Sequence, residues 1–432
     1  MILRRRAVLL VMLLLTAVPL VLAGCTGNPI KRASRPAPAP PKLAITPAPD
    51  SKDLPTSVEI GTTVTGGKVT EVVVTDPNGV RVDGALRPDG SGWMPGKALA
   101  NKQAYTAQVT AKNDAGKTVT QKTSFTTMDK PTKRTVTNLN LQSDQTYGVA
   151  MPLTVAFDSD IPKDARAGIQ RRLLVNTDPP QPGAWAWEEN GRQVSYRAPD
   201  FWRPGTTISV RAALDGVPMG GGSFGDTDRA GAAKIGSSRI FLEIDNATKQ
   251  MSVFKDDALV KKIPVSLGKS STPTSSGKMV IMEKHDSTVF DTTGSPDPYV
   301  VTVQNAQRLT WGGEFIHAAP WSVGAQGEAN VSHGCTNVSD ANAAWLMETT
   351  RIGDLVTIKG TEVALDQGNG WTAWNVSWDE FVKGSALPVP ADLKPAPPAP
   401  PAPPAPGGPA SGGPPAADKP AAPTPTSSSG GR

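Results

Sequence analysis

Three patterns of apolar and polar positions divide the chain. Ala7 to Ala23 is one apolar run, broken only by Thr16 and Pro19 and preceded by Arg4-Arg5-Arg6. A charged start followed by so short a terminal run predicts a signal segment over 1–24 rather than a membrane span. From about 51 to 235, short apolar stretches recur at strand length. Val69 and Val72-Val73-Val74 supply one. Tyr105, Ala107, Val109 and Ala111 alternate with polar neighbours, and Met151, Leu153, Val155 and Phe157 alternate with a second set of neighbours. Period two is the signature of a half-buried strand. Asp76-Pro77-Asn78-Gly79 and Asn113-Asp114-Ala115-Gly116 supply turns. Trp93-Met94-Pro95-Gly96 and Trp202-Arg203-Pro204-Gly205 form a faint repeat, each read as a turn feeding a late strand. This pattern predicts two β-sandwiches, over 51–135 and 136–235.

The pattern changes at about 236. Ile240, Leu242 and Ile244 alternate, Asp245-Asn246-Ala247 turns the chain, and Met251–Phe254, Lys262–Val265 and Met279–Met282 read as further strands. Gly268 to Gly277 reads as a polar loop. Ser339 or Asp340 is placed to cap a helix running from about Ala341 to Thr349. This third domain, over 236–361, is mixed but mostly β. Trp371, Trp374, Trp378 and Phe381 fall near one helical turn apart and predict an apolar stripe, over 362–386, packing back on the third domain. Residues 25–50 are rich in proline and alanine and read as an extended tether. Residues 387–432 have the same bias, cannot bury a core and are expected to be disordered.

The net charge of +5 is mild for 432 residues, and no basic run follows the first segment, so nucleic acid is not expected as a partner. The chain has only two cysteines. Cys25 ends Leu22-Ala23-Gly24-Cys25, which resembles the bacterial lipobox; it is read as a lipidation site that would anchor the protein to the outer face of the plasma membrane, in the cell envelope. A lipid-blocked Cys25 leaves Cys335 without a partner. A lone thiol in an oxidising compartment is a liability unless it is used, which favours a nucleophile.

A thiol attacking an acyl carbon needs a base, donors for the oxyanion and access. His317 follows Phe315-Ile316 and is expected near a strand end. Ser332-His333-Gly334-Cys335-Thr336-Asn337 returns the chain after a loop, and Gly334 allows unusual backbone angles and close approach of substrate. A helix capped at Ser339 would depress the cysteine pKa if it pointed at the thiol.

His317, a fourteen-residue interval and the Ser332–Asn337 hexad resemble the catalytic motif of the L,D-transpeptidases (the YkuD type). Ile316-His317-Ala318-Ala319-Pro320-Trp321-Ser322-Val323 is similar to mycobacterial members, as is the layout of lipobox, two Ig-like domains, catalytic domain and tryptophan-bearing C-terminal piece. The resemblance implies a mainly β protein with two Ig-like sandwiches. It implies an enzyme that joins peptidoglycan stem peptides by 3→3 links through a cysteine thioester, with a tetrapeptide donor and a diaminopimelate acceptor. Cys335 would be the nucleophile and His317 the acid/base. His333 would line the oxyanion region with the amides of Gly334 and Cys335. Tyr299, Gly312, Gly313, Ser332, Gly334 and Asn337 would contact substrate. No cofactor or metal is implied, and carbapenems are expected to acylate Cys335. The same motif would serve an L,D-carboxypeptidase or an enzyme anchoring proteins to the wall; a reading of another class is a non-catalytic wall-binding lipoprotein. Two positions depart from the family pattern. Ala318 stands where serine is frequent, which is harmless if only its carbonyl orients His317. Thr336 replaces an apolar residue and is expected to tune reactivity.

Overall fold

The computed structural model describes residues 39–294 and 298–394. The apolar N-terminal run, Cys25 and the tail from 395 lie outside them. Among the described residues no helix is long and apolar enough to cross a membrane. The chain is mainly β and divides into two compact units. The first takes the chain up to Ser51 with Glu59–Gly96 and Ala104–Thr126; the second takes Lys52–Val58, Lys97–Gln103 and everything from Thr127 onward.

The first unit holds the first sandwich. Ala104–Lys112 pairs antiparallel with Lys68–Thr75 and Thr118–Thr127, and the predicted alternation is borne out: Tyr105, Ala107, Val109 and Ala111 are all buried. Asn113 closes the hairpin by accepting the Gly116 N–H on its carbonyl and the Lys117 N–H on its side chain. Two expectations are corrected. The tether does not reach residue 50, because Lys42–Thr46 is a strand paired with Ile60–Thr65; its alternation of Leu43 and Ile45 is short and hidden between prolines. Trp93 lies not in a turn but in a fully buried strand, Gly92–Pro95. Its counterpart Pro204-Gly205 does turn the chain, so the repeat is one of sequence only.

The second sandwich packs Thr137–Leu139, Leu153–Phe157, Gln193–Arg197 and Ala184–Trp187 as one sheet, and Thr146–Tyr147, Arg229–Ile235, Thr207–Ala212 and Leu173–Asp178 as another. A helix over Lys163–Gln170 was not expected in so β-rich a stretch. It is held from outside itself: Arg166 donates to the carbonyls of Ile161, Glu188 and Glu189.

The third domain has a six-stranded sheet in the order Ala258–Pro264, Gln250–Lys255, Ile240–Asp245, Leu355–Lys359, Ser275–Val280, Val363–Ala364, and a four-stranded sheet in the order Glu283–Asp291, Val300–Arg308, Phe315–Ala318, Thr336–Val338. Ile240, Leu242, Ile244, Met279, Ile316 and Val338 share one core with Ala343 and Leu346 of the helix Asp340–Thr349. Ser339 caps that helix by accepting the Asn342 N–H at 3.3 Å. The strand expected at Met279 begins earlier, at Ser275, inside the stretch read as loop.

The tryptophans do not form a helical stripe. Only Trp378–Phe381 is helical. Trp371 and Trp374 join Met151, Leu153, Trp202, Met282 and Leu355 in a core shared by the second sandwich and the third domain, and Trp374 Nε1 donates to the Ala150 carbonyl at 2.7 Å. Arg197 completes this packing. Its guanidinium lies 4.4 Å from the Trp374 ring, 5.2 Å from Trp378 and 4.6 Å from Phe381, and donates to the carbonyls of Ala373, Ala198, Pro199 and Val376. A buried cation is tolerable only when its donors are satisfied. The expected tail does not begin at 387 either, since Leu393 is buried and its carbonyl accepts from Trp378 Nε1 at 2.8 Å.

Where the second sandwich meets the third domain, Gly148 N–H donates to Ile352 O at 2.8 Å and Ala150 N–H to Gly353 O at 2.9 Å. The approach is so close that a Cβ on Gly148 would stand 2.1 Å from Asp354 Oδ1. Asp354 is fully buried; Oδ2 accepts the Arg351 N–H, and Oδ1 has no partner among the described residues. Burial pushes its carboxyl up from 3.8 to about 7, against the Arg351 N–H bond and the charges of Arg351 and Lys284. A raised carboxyl pKa contributes stability that is full below the unfolded value and is lost as pH rises through the folded one. The rise from 3.8 to about 7 corresponds to about 4 kcal/mol. Asp354→Asn is therefore expected to raise Tm over wild type by several degrees more at pH 8 than at pH 4. Parallel Tm curves across that range would refute the assignment.

Candidate active site

Parallel pairing of Phe315–Ala318 with Thr336–Val338 sets His317 opposite Asn337. Cys335 immediately precedes the second strand, two residues before Asn337, so it projects to the same side and is a diagonal neighbour of His317. The two strands thus bring together a thiol and an imidazole separated by the intervening loop. A cavity of about 300 Å³ opens over them, lined by Phe290, Tyr299, His317, Trp321, His333, Cys335 and Asn337 among others. Clefts of about 540 and 460 Å³ lie elsewhere, but neither is lined by a histidine or cysteine.

His317 is 4% exposed. Its Nδ1 lies 2.8 Å from the Ala318 carbonyl, which can only accept, so Nδ1 carries the proton and Nε2 is left as a base. Phe290 meets the ring edge-on at 5.3 Å and Trp321 flanks it at 6.1 Å. Burial pulls the His317 pKa below 6.5, outweighing the Ala318 bond, and keeps the imidazole neutral. A backbone carbonyl orients the base, so alanine at 318 is sufficient.

The Cys335 thiol donates to Gly313 O at 3.7 Å. Burial pushes its pKa up to about 12; a bond from the Phe315 backbone opposes the rise and the Glu314 charge adds to it. The ground state is therefore a thiol beside a neutral imidazole. The helix does not alter this, because Thr336–Val338 stands between Cys335 and the Ser339 cap, and the dipole fades within a turn.

Ser332 Oγ donates to Cys335 O at 2.6 Å and accepts the Gly334 N–H at 3.2 Å. Ser332 thus shapes the turn and engages the Gly334 amide, while the Cys335 N–H has no acceptor among the described residues and is the candidate oxyanion donor of the pair. Gly334 has φ of 120°, a conformation that favours glycine. Residues 266–269 run alongside: Ser266 exchanges both backbone bonds with Asn337, Ser332 N–H donates to Leu267 O, and Lys269 N–H donates to Ser332 O.

His333 is exposed, with Nε2 3.1 Å from Lys269 Nζ and its ring 4.7 Å from that of Tyr299, so these two expected residues do meet across the cavity mouth. Asn337 Nδ2 donates to Ser322 Oγ at 3.2 Å, and its Oδ1 is buried without a partner among the described residues. Gly313 enters through its carbonyl, while Gly312 N–H donates to Asn369 Oδ1 at 2.8 Å. The Thr336 hydroxyl is buried and unpartnered among the described residues, which costs about 1–3 kcal/mol that an apolar residue would avoid. Phe290, Trp321, Thr274 and Glu314 were not anticipated. Only Trp321 lies in a segment singled out by sequence, through its likeness to mycobacterial members; the fold brings the others to the site.

A buried histidine beside a thiol, with one amide left without an acceptor among the described residues, has the components that acyl transfer requires. The bacterial Ig domain family matches residues 51–218, and the L,D-transpeptidase catalytic domain family matches 239–358. The chain is 33% identical over 356 residues to L,D-transpeptidase 2 of Mycobacterium tuberculosis, covering 80% of this chain and 85% of that one. It is 34% identical over 390 residues to L,D-transpeptidase 5 of the same species, covering 88% and 84%. Among solved structures, that of LD transpeptidase LdtMt1 in complex with imipenem is 28% identical, with a TM-score of 0.43, over 53% of this chain and all of that one. Relatives at this identity, matched across both the Ig-like and the catalytic parts, place the chain in the L,D-transpeptidase family.

Proposed function

We propose that the protein forms 3→3 cross-links between peptidoglycan stem peptides through a thioester on Cys335. The observation that supports this most directly is the pairing of a protonated thiol with a neutral, carbonyl-oriented His317 in one cavity. As Cys335 Sγ attacks the carbonyl of the third residue of a tetrapeptide donor, its proton passes to His317 Nε2. The tetrahedral oxyanion forms against the Cys335 N–H. The C–N bond then breaks, and D-Ala leaves with the proton held by His317. An acceptor amine next gives a proton to His317 and attacks the thioester; the new amide forms, and the thiolate leaves and is reprotonated. Asn337 Oδ1 would accept a substrate N–H, and Tyr299 and His333 would close over the stem.

Cys25 would carry lipid on the outer face of the plasma membrane, with the short proline-rich segment before Lys42 as spacer. Carbapenems would acylate Cys335. The deciding experiment is mass spectrometry of the products from a tetrapeptide donor with and without a diaminopimelate-bearing acceptor. The expected result is loss of D-Ala and a joined dimer that depends on acceptor. A hydrolysed tripeptide alone, unchanged by acceptor, would make the protein a carboxypeptidase instead.

A further inference from the structure

The loop over 268–274 has no part in the chemistry above, yet it holds the peptide that carries the oxyanion donor. Thr274 is 1% exposed. Its Oγ1 donates to Gly334 O at 2.7 Å and accepts the Gly268 N–H at 2.8 Å. Accepting from Gly268 forces the hydroxyl proton toward Gly334, so the direction of that bond is set by the backbone. The next residue is tied as well: Ser275 N–H donates to Glu314 Oε1 at 2.8 Å, in the segment whose Gly313 carbonyl receives the Cys335 thiol. Thr272 Oγ1 adds a bond to Ser332 O at 3.3 Å.

The Gly334–Cys335 peptide is planar and trans, so its carbonyl and its N–H point in opposite directions. Fixing the Gly334 oxygen therefore aims the Cys335 N–H. Gly334 at φ of 120° offers no side chain to do this, and glycine is the residue type least restricted in rotation about that peptide. We propose that Thr274 is a positioning residue that aims the Cys335 amide at the developing oxyanion, with Glu314 as the clamp on its loop. The inference rests on Cys335 being the acylated nucleophile.

The test separates acylation from alkylation. Acylation by imipenem or a stem peptide develops an oxyanion; displacement on iodoacetamide at the same sulfur does not. Thr274→Val keeps the shape and removes the donor. It is expected to slow acylation about 10- to 100-fold through kcat with KM nearly unchanged, since one misaimed donor loses part of what its removal would. Iodoacetamide should label Cys335 in the variant at the wild-type rate, and Thr274→Ser should restore acylation. Wild-type acylation in Thr274→Val would overturn the proposal, as would a parallel loss of acylation and alkylation or failure of the serine variant to rescue. Cys335→Ala run alongside keeps the two readings apart. Turnover in that variant would remove the thioester itself, whereas an inactive Cys335→Ala beside a fully active Thr274→Val would remove only the role of Thr274.

Discussion

Cys335→Ala is expected to lower donor turnover by about 10⁴-fold or more, with no acyl adduct in the intact mass after incubation with stem peptide or carbapenem. In the proposed reaction the thiol forms the covalent bond, and without it the remaining amide and binding groups have no transition state to stabilise. The fold should be indifferent to the change. The thiol's bond to Gly313 O is long at 3.7 Å, and the side chain is small, so Tm should move little. Cys335→Ser separates reactivity from shape and should be equally inactive, because a hydroxyl is harder still to deprotonate in a site that already pushes a thiol up to about 12. Turnover above about one per cent of wild type in either variant would exclude the thioester route.

His317→Gln is the second large effect. Glutamine retains polarity but cannot take a proton, and a positioned base contributes about 10²- to 10⁴-fold. A loss of about 10³-fold is expected. The site predicts the pH dependence as well. Because burial lowers the His317 pKa below 6.5, the imidazole stays a base to lower pH than a free histidine would. The acid limb of kcat/KM should therefore fall below pH 6.5. Because burial raises the thiol, the thiolate fraction at neutral pH is small, and labelling by iodoacetamide should still be rising at pH 9. An acid limb well above pH 6.5, or labelling that levels off near neutrality, would mean that a preformed thiolate–imidazolium pair is the ground state and would overturn the assignment. His333 differs from His317 in exposure, and its substitution should affect substrate binding more than proton transfer.

Much of the architecture follows from local pattern. The strands at Ala104–Lys112 and Ile240–Asp245 were legible because period-two alternation puts one face in a core whatever the partner strand, and Lys68–Thr75 because of its valine run. The helix after Ser339 was legible because its cap is a local hydrogen bond. Short or partner-dependent elements were not. Lys42–Thr46 has two apolar residues and becomes a strand only against Ile60–Thr65. Trp93 reads as part of a turn from its Pro-Gly neighbours but is buried by strands on both sides. The tryptophans of the C-terminal piece have helical spacing, yet Arg197 and the second sandwich gather them without a helix between Trp371 and Trp374.

The site divides in the same way. Cys335, His317 and the glycine between His333 and Cys335 were readable because the chemistry demands those residue types at that spacing. The chain alone therefore determined the family and the multi-domain β fold, and singled out a thiol and a histidine as candidates for its chemistry. The tertiary structure decided the charge state of the pair, since desolvation depends on what is packed around a group. It also decided which amide is free for the oxyanion, through Ser332, and which distant side chain aims that amide, through Thr274. Thr274 and Gly334, sixty residues apart, meet only through the fold, as do the groups packed around the thiol and the imidazole. No local pattern encodes them, because their energy exists only once the chain has brought both partners together.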